Sequence, residues 1–515
     1  MSLLRSTGLV GGMTLLSRVL GFVRDVVFAR FFGAGPVMDA FFVAFKIPNF
    51  MRRLFAEGGF SQAFVPVIGE YRSQREHAEV QALVDRVAGI LGAVLVLITL
   101  IGVVAAPVLI LIFAPGFDGE DGRRELATAM LRWTFPYLLF ISLVSLAAGI
   151  LNTYNRFGVP AFTPVLLNVC LIGAAVWLAP YFDEPGMALA VGVFAAGVAQ
   201  LLFQIPFLKH LRLLPRPRWD PKHEGVRRIM RLMAPALFGS SVAQINLVID
   251  TIIASFLVAG SVSWLYYSDR LMEFPLGVFG IALATVILPG LSARYAEKDP
   301  KAFSDTLDWA LRLVWLVAVP AAVGLFCLAG PMLSTLFQYG EFTAHDTRMA
   351  AWSLMAYAFG LVGFTLVKVL APGYFARQDT KTPVKAGVVA MVSNMVLNLA
   401  FVLPMVMTGF VAPHMGLALA TAIAAFINAG LLYMGLRRRG VYRPGPGWAS
   451  LFFKGLVANG VMAAVVLWLA GPLADWLDAG VWERVGLLAV CIGTGALVYG
   501  LVLLLLGLRR RHVMA

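Results

Sequence analysis

The sequence predicts an all-α polytopic membrane protein of about 14 transmembrane helices. These form two six-helix lobes related by pseudo-twofold symmetry, plus two C-terminal helices. Three observations predict it. Of 515 residues, 60% are hydrophobic and 13% are charged, where a soluble chain carries about 25% charged residues. Apolar stretches of about 20 residues, each long enough to cross a bilayer, recur from end to end. Finally, basic residues gather in alternate loops, as cytoplasmic loops require.

In chain order the expected spans lie near 6–32, 37–68, 87–113, 126–151, 160–180, 186–208, 229–257, 262–292, 307–331, 348–373, 383–407, 414–436, 449–471 and 485–508. Loops after even-numbered spans are basic: Arg72, Arg75 and Arg86, then Arg156, then the run from Lys209 to Arg231. They continue with Arg294, Lys298 and Lys301, then Arg377, Lys381 and Lys385, then Arg437, Arg438, Arg439 and Arg443. Loops after odd-numbered spans are short or acidic, as at Asp118, Glu120, Asp121, Asp183 and Glu184. Both termini are therefore expected on the cytoplasmic side.

The chain also repeats itself. Ala34-Gly35-x-Val37 returns as Ala259-Gly260-x-Val262, and Val65-Pro66 as Leu288-Pro289. Phe162-Thr163-Pro164 corresponds to Lys381-Thr382-Pro383, and the Gly186 opening of span 6 to the Gly416 opening of span 12. The offsets run from 219 to 230 residues. The expected domains are thus a lobe at 1–208, a basic cytoplasmic linker at 209–228, a second lobe at 229–437, and an additional helix pair at 449–508. An even number of spans per lobe gives both the same orientation, as in transporters with parallel repeats.

Residues 17–57 carry the chemistry. Two apolar helices joined at Gly33-Ala34-Gly35-Pro36 hold Arg18, Arg24, Asp25, Arg30, Asp39, Lys46, Arg52, Arg53 and Glu57. A charge at bilayer depth costs roughly 2.5–3.5 kcal/mol on insertion scales, so such side chains face partners, water or a ligand. Asp39, Lys46 and Arg53 are spaced by seven and share a helix face; Glu57 is placed to pair with Arg53. Span 8 holds the second cluster, Asp269, Arg270 and Glu273. Pro48 and Pro275 follow the two clusters and are expected to bend their helices. Cations outnumber acids across these spans, and arginine suits two-pronged contact with phosphate or carboxylate. Arg18, Arg24, Arg52 and Arg270 are therefore read as ligand contacts, Asp25 as a partner for Arg18, and Arg30 as an ion-pair or interfacial residue. Asp39, Asp269 and Glu273 either orient the arginines or gate the cavity.

Other features exclude more than they assign. Cys170, Cys327 and Cys491 lie singly in apolar spans and read as filler. No nucleotide-binding, hydrolase or metalloprotease motif is present, so no enzyme is expected. The net charge of +13 is spread over loops in the positive-inside pattern and suits anionic membrane lipids, not nucleic acid. No cleavable signal segment is evident. His345 and His414 are expected on the outer side, solvated. Asp250, Asn394, Asn398 and Thr421 either offer oxygens to a sodium ion or pack as isolated polar groups.

The stretches Ser17-Arg18-Val-Leu-Gly-Phe-x-Arg24-Asp25, Asp39-Ala-Phe-Phe-Val-Ala-Phe-Lys46-x-Pro48-Asn49, Arg52-Arg53-x-Phe-Ala-Glu57-Gly, Phe60-Ser-Gln-Ala-Phe-Val-Pro66 and Tyr267-Ser268-Asp269-Arg270-Leu-Met-Glu273-Phe-Pro275 resemble the MurJ (MviN) family of lipid II flippases. That family lies within the multidrug/oligosaccharidyl-lipid/polysaccharide exporter superfamily. The resemblance covers essentially the whole chain and implies two six-helix lobes around a cavity, with two extra helices forming a lipid-tail groove. It implies that Arg18, Arg24, Asp39, Arg52 and Arg270 are required cavity positions. Arg53, Asp269 and Glu273 would belong to the same cluster, with Lys46 and Glu57 as orienting or gating residues. Some members hold sodium in the second lobe; Asp250, Asn394 and Thr421 match that set, while Asn398 stands where those members carry an Asp. The implied activity is transfer of undecaprenyl-diphosphate-linked peptidoglycan precursor from the cytoplasmic to the periplasmic leaflet of a bacterial inner membrane. It would proceed by alternating access, driven by membrane potential, an ion gradient or both, with no cofactor unless a sodium ion serves. A monomer is expected to suffice, with cell-wall synthesis proteins as candidate contacts. The rival readings are a cation-coupled multidrug exporter of the same superfamily, which predicts acidic cavity walls, an exporter of another polyprenyl-linked oligosaccharide, and a membrane scaffold whose charges are structural.

Overall fold

A computed structural model describes the backbone of residues 3–117 and 122–508, with side chains except at 3–7, 55–58, 234–243, 279, 281–282 and 284–285. Every regular element among them is helical. The first helix, α1 (Leu3–Phe32), ends at Gly33, whose φ of 67° suits glycine. Pro36 then supplies the first turn of α2 (Pro36–Arg52). This helix widens into a π-helical stretch, Arg53–Phe60, before α3 (Ser61–Gln74). There follow α4 (His77–Val104), α5 (Ala106–Phe113), α6 (Arg123–Thr134), α7 (Tyr137–Thr153), α8 (Gly158–Gly173), α9 (Met187–His210) and α10 (Glu224–Ser255). Next, α11 (Ser261–Pro275) passes through a second π-helical stretch, Leu276–Gly280, into α12 (Ile281–Ala296). The chain ends with α13 (Pro300–Cys327), α14 (Ala329–Phe337), α15 (Ala344–Phe375), α16 (Lys381–Met407), α17 (Met415–Arg438), α18 (Trp448–Ala470), α19 (Leu473–Asp478) and α20 (Val481–Leu505).

Ten helical segments among the described residues are long and apolar enough to cross a membrane. The protein is a multi-pass membrane protein. The four other expected spans are α1, the α2–α3 run, α10 and the α11–α12 run. The charged clusters interrupt α1, α2–α3 and α11–α12; within α10 the described apolar segment is Gln244–Ser255. The exceptions to the hydropathy pattern are thus largely the helices with the charges.

The chain divides into two compact units, Met1–Val262 and Ser263–Ala515. In the first, α1 lies along α8, α2 against α6, and α9 against α7 and α8, while α10 packs on the first π-helical stretch and α3. Phe64, Val67, Leu83, Val84, Ile150 and Leu151 form much of its core. The basic run is docked rather than loose. Asp85 accepts from the Arg216 amide at 2.8 Å, and its carbonyl from the Arg218 amide at 3.0 Å. Gly89 leaves room for the Arg218 backbone to lie on α4. Arg86 bonds Asp220 at 2.9 Å and holds that carboxyl below its usual range.

In the second unit α15 is central, packed by α13, α14 and α17, and α18 pairs with α20. The C-terminal pair is fastened to α13. Asp308 accepts from Tyr442 Oη and Trp448 Nε1, both at 2.7 Å, and from the Gly445 amide at 3.1 Å. Arg312 bonds the same carboxylate and the Pro446 carbonyl, each at 2.7 Å. Trp315 stacks on Phe452 at 4.4 Å between centroids.

A proline within a helix cannot donate to the carbonyl four residues back, and in lipid that oxygen needs another donor. Three such carbonyls find a hydroxyl. Pro48 releases Ala44, which accepts from Thr134 at 3.0 Å. Pro164 releases Pro160, which accepts from Thr163 at 2.8 Å. Pro320 releases Leu316, which accepts from Tyr499 at 2.9 Å. Bent helices are thereby kept without orphaned backbone at these points, and the last bond ties α20 to α13. Tyr499→Phe is therefore expected to lower stability in detergent by about 1–3 kcal/mol. In a Pro320→Ala background, where residue 320 regains its own N–H, the loss should be much smaller. Equal shifts of the thermal midpoint in both backgrounds would contradict the pairing.

Candidate anion-binding site

In the first unit the charges of Arg24, Asp25, Asp39 and Arg123 are buried in helix contacts. Arg24 is 7% exposed and Asp25 1%. The guanidinium donates from Nε at 3.0 Å and Nη2 at 2.7 Å to Asp25 Oδ1, and from Nη1 at 3.1 Å to Asn168 Oδ1 on α8. The Asn168 amide in turn donates to the Ser17 carbonyl at 3.0 Å. The structure thus gives Asp25 to Arg24, its neighbour, where seven-residue spacing suggests Arg18. Adjacent residues on a helix point about 100° apart, and the length of arginine closes that angle. Arg18 and Arg30 are exposed.

Asp39 is fully buried. It accepts from the Gly260 amide at 2.7 Å and lies 3.7 Å from Arg123, the first residue of α6. Arg123 is 6% exposed and stands 4.6 Å over the Phe117 ring. Asp39 is thus an anchor joining α2, α6 and the turn before α11. Along the expected stripe burial falls from Asp39 through half-buried Lys46 to exposed Arg53. Arg52 is half-buried and bonds Asn49 at 3.2 Å. The Arg53–Glu57 pairing assumes α-helical spacing, but this stretch is π-helical and its repeat is longer. The Glu57 side chain lies outside the described residues.

In the second unit Arg270 bonds Glu273 at 3.0 Å and Tyr266 Oη at 3.2 Å, with its guanidinium 4.9 Å from the Tyr266 ring centroid. Asp269 is half-buried and Glu273 exposed. Just upstream, buried Ser268 bridges α11 to α15 through the Ala350 carbonyl and Ser353, each at 2.8 Å. Trp264 donates to Asp346 at 2.9 Å. His345 is exposed as expected, but His414 is fully buried against the Trp264 ring, its Nε2 2.9 Å from the Met349 carbonyl. Its position at the head of α17 turns it inward. Of the proposed cation ligands, Asp250 is half-buried on α10 in the first unit; Asn394 and Asn398 are fully buried on α16 and Thr421 half-buried on α17.

Three participants are absent from the reading of the sequence. Arg123 follows an acidic loop and resembles a surface residue; its position at the start of an apolar helix was the available signal. Asn168 is a lone amide in an apolar span, and Thr134 has no signal beyond being polar. Each becomes visible only as the partner of another buried group.

Apolar helices crossing a membrane many times, bent at prolines, with buried arginines held by short-range partners, give the architecture of a polytopic membrane transporter. The family model for lipid II flippase MurJ matches residues 28–479. A protein of Vibrio cholerae serotype O1 named probable lipid II flippase MurJ is 48% identical, covering 100% of this chain and 98% of its own. One from Burkholderia cenocepacia named lipid II flippase MurJ is 44% identical, covering 97% and 96%. A solved lipid II flippase MurJ in an inward closed conformation superposes with a TM-score of 0.78 at 28% identity, covering 96% of this chain and 97% of that one. An inward-facing multidrug MATE transporter of the MOP superfamily shares the fold, with a TM-score of 0.66 at 16% identity over 84% and 98%. The chain belongs to the lipid II flippase MurJ family.

Breaking one side of a buried ion pair is costly. Arg123→Met is expected to lower stability by roughly 3 kcal/mol, measured as the thermal midpoint in detergent. Adding Asp39→Asn should recover part of that loss, because the carboxylate no longer lacks its cation. Strictly additive losses would contradict a direct pair.

Proposed function

We propose that this protein is a flippase for lipid II, carrying its diphosphate-linked headgroup from the cytoplasmic to the periplasmic leaflet by alternating access. The observation that carries the reading is chemical: arginines set into apolar spans, in a chain belonging to this family. Arg18, Arg24, Arg52, Arg53 and Arg270 recognise the diphosphate and peptide carboxylates. Lys46, Glu57, Asp269 and Glu273 orient those cations or gate their access, and Asp39 completes the headgroup site by holding α2 to α6. The polyprenyl tail remains in hydrocarbon along α18 and α20, whose apolar side chains are extensively exposed, as at Phe453, Leu456, Trp468 and Leu504.

In this reading the lobes are the two repeats, 1–208 and 229–437, joined by the linker 209–228, with the 449–508 pair serving the tail. The setting is a bacterial inner membrane with both termini cytoplasmic, and a monomer suffices, with cell-wall synthesis proteins as contacts. An outward-moving anion runs down an inside-negative potential worth about 2.3 kcal/mol per charge per 100 mV. Sodium is a second proposed driver. Asp250, Asn394, Asn398 and Thr421 supply one carboxylate and three neutral oxygens, a hard-oxygen set suited to a monovalent cation. The multidrug alternative calls for acidic cavity walls, and the spans that carry charge are richer in arginine.

Arg52→Ala, Arg270→Ala and the double variant Arg24→Ala/Asp25→Asn, which leaves no unpaired buried carboxylate, are expected to abolish outward transfer in cells while inserting at normal levels. Dissipating the membrane potential should stop transfer by the intact protein, read as labelling of externally exposed lipid II. Normal transfer by all three variants would overturn the headgroup reading, and transfer indifferent to potential would remove the electrical drive.

A further inference from the structure

Asn168 is nearly buried, 5% exposed, on α8. Both ends of its amide are used on α1. Oδ1 accepts from Arg24, and Nδ2 donates to the Ser17 carbonyl seven residues earlier. Gly21 lies between those points, and a Cβ there would sit 3.7 and 3.8 Å from the amide atoms, so the amide rests on the glycine surface of α1. Rotating the amide would set donor against donor and oxygen against oxygen, so its orientation is determined.

The guanidinium edge facing Asp25 matters equally. Nε–H and Nη2–H point the same way and form the side-on fork that binds planar or tetrahedral oxyanions. Here one carboxylate oxygen, Asp25 Oδ1, takes both. Nη1, held by Asn168, is on the opposite side of the group. We propose that Asn168 is the positioning residue for Arg24, and that Asp25 occupies the fork which a lipid-linked diphosphate takes over. This rests on the headgroup reading above and adds the residue that aims the arginine and the group the ligand displaces. An amide suits the first task because it grips the cation without neutralising it. A carboxylate at position 168 would hold Arg24 too firmly and compete with the phosphate.

The test is lipid II binding by the purified full-length protein in detergent, measured by titration for Arg24→Ala, Asn168→Ala, Asn168→Asp, Asp25→Asn and Asn168→Asp/Asp25→Asn. Asn168→Ala should weaken binding by about tenfold, the value of one hydrogen bond to a charged group. Asn168→Asp should weaken it at least as much, since it adds a competing anion. Moving the carboxylate with Asn168→Asp/Asp25→Asn should restore affinity to within about threefold of the parent, a rescue that only charge balance at Arg24 explains. If Asn168→Ala does not fold, the Asn168→Asp pair of variants decides, because the oxygen acceptor is kept. Wild-type affinity in the Asn168 variants, alongside loss in Arg24→Ala, would overturn this proposal alone. The same holds for a double variant worse than Asn168→Asp. Wild-type affinity in Arg24→Ala would instead sink the headgroup reading on which it stands.

Discussion

A guanidinium within the apolar part of a membrane must have an anion, an amide or water against it, because hydrocarbon offers nothing in exchange for lost hydration. That constraint explains the arrangement of the first unit. Arg24 lies on Asp25 and Asn168, and Arg123 approaches Asp39. These contacts also join helices, so α8 is tied to α1 and α6 to α2 through polar groups amid apolar packing. Such pairs add little net stability over a hydrophobic replacement, but losing one member is expensive.

Bending is the second requirement. Pro48 and Pro275 lie in corresponding helices, and beyond each the helix widens into a π-helical stretch, Arg53–Phe60 in one unit and Leu276–Gly280 in the other. Segments of this kind recur at functional sites because their backbone bonds are less regular. The hydroxyl of Thr134 meets the carbonyl that Pro48 releases, so the bend near the charged cluster is stabilised from α6. A transporter needs helices that change shape without stranding polar backbone in lipid. The α13 attachments of Tyr442, Trp448 and Tyr499 meet the opposite need, holding the C-terminal pair firmly.

Much of this was legible in the sequence, for identifiable reasons. Apolar runs and loop charge gave the helices, because length and hydropathy act locally. The Gly35 and Gly260 repeat, with the paired prolines, pointed to the matching helices that proved to share a π-helical stretch. The arginines stood out because charge in an apolar run is costly and therefore informative. What could not be read was who pairs with whom. Asp25 went to its neighbour rather than to Arg18 because side-chain length overrode helical phase. Arg123 and Asn168 were missed because a partner 84 or 144 residues away leaves no periodic signal. The backbone over Arg53–Phe60 is wider than the α-helix that the Arg53–Glu57 spacing assumes, and His414, at the head of α17, lies inward beside the Trp264 ring.

The central claim is that arginines set in apolar helices recognise a phosphorylated headgroup. Its most direct test compares binding of lipid II with that of an analogue whose diphosphate is replaced by an uncharged linker, at low and high salt. The account predicts that the analogue without the diphosphate binds at least about tenfold more weakly and that lipid II loses more affinity with salt than the analogue, which keeps only the peptide carboxylates. Equal affinities with the same salt response would contradict it.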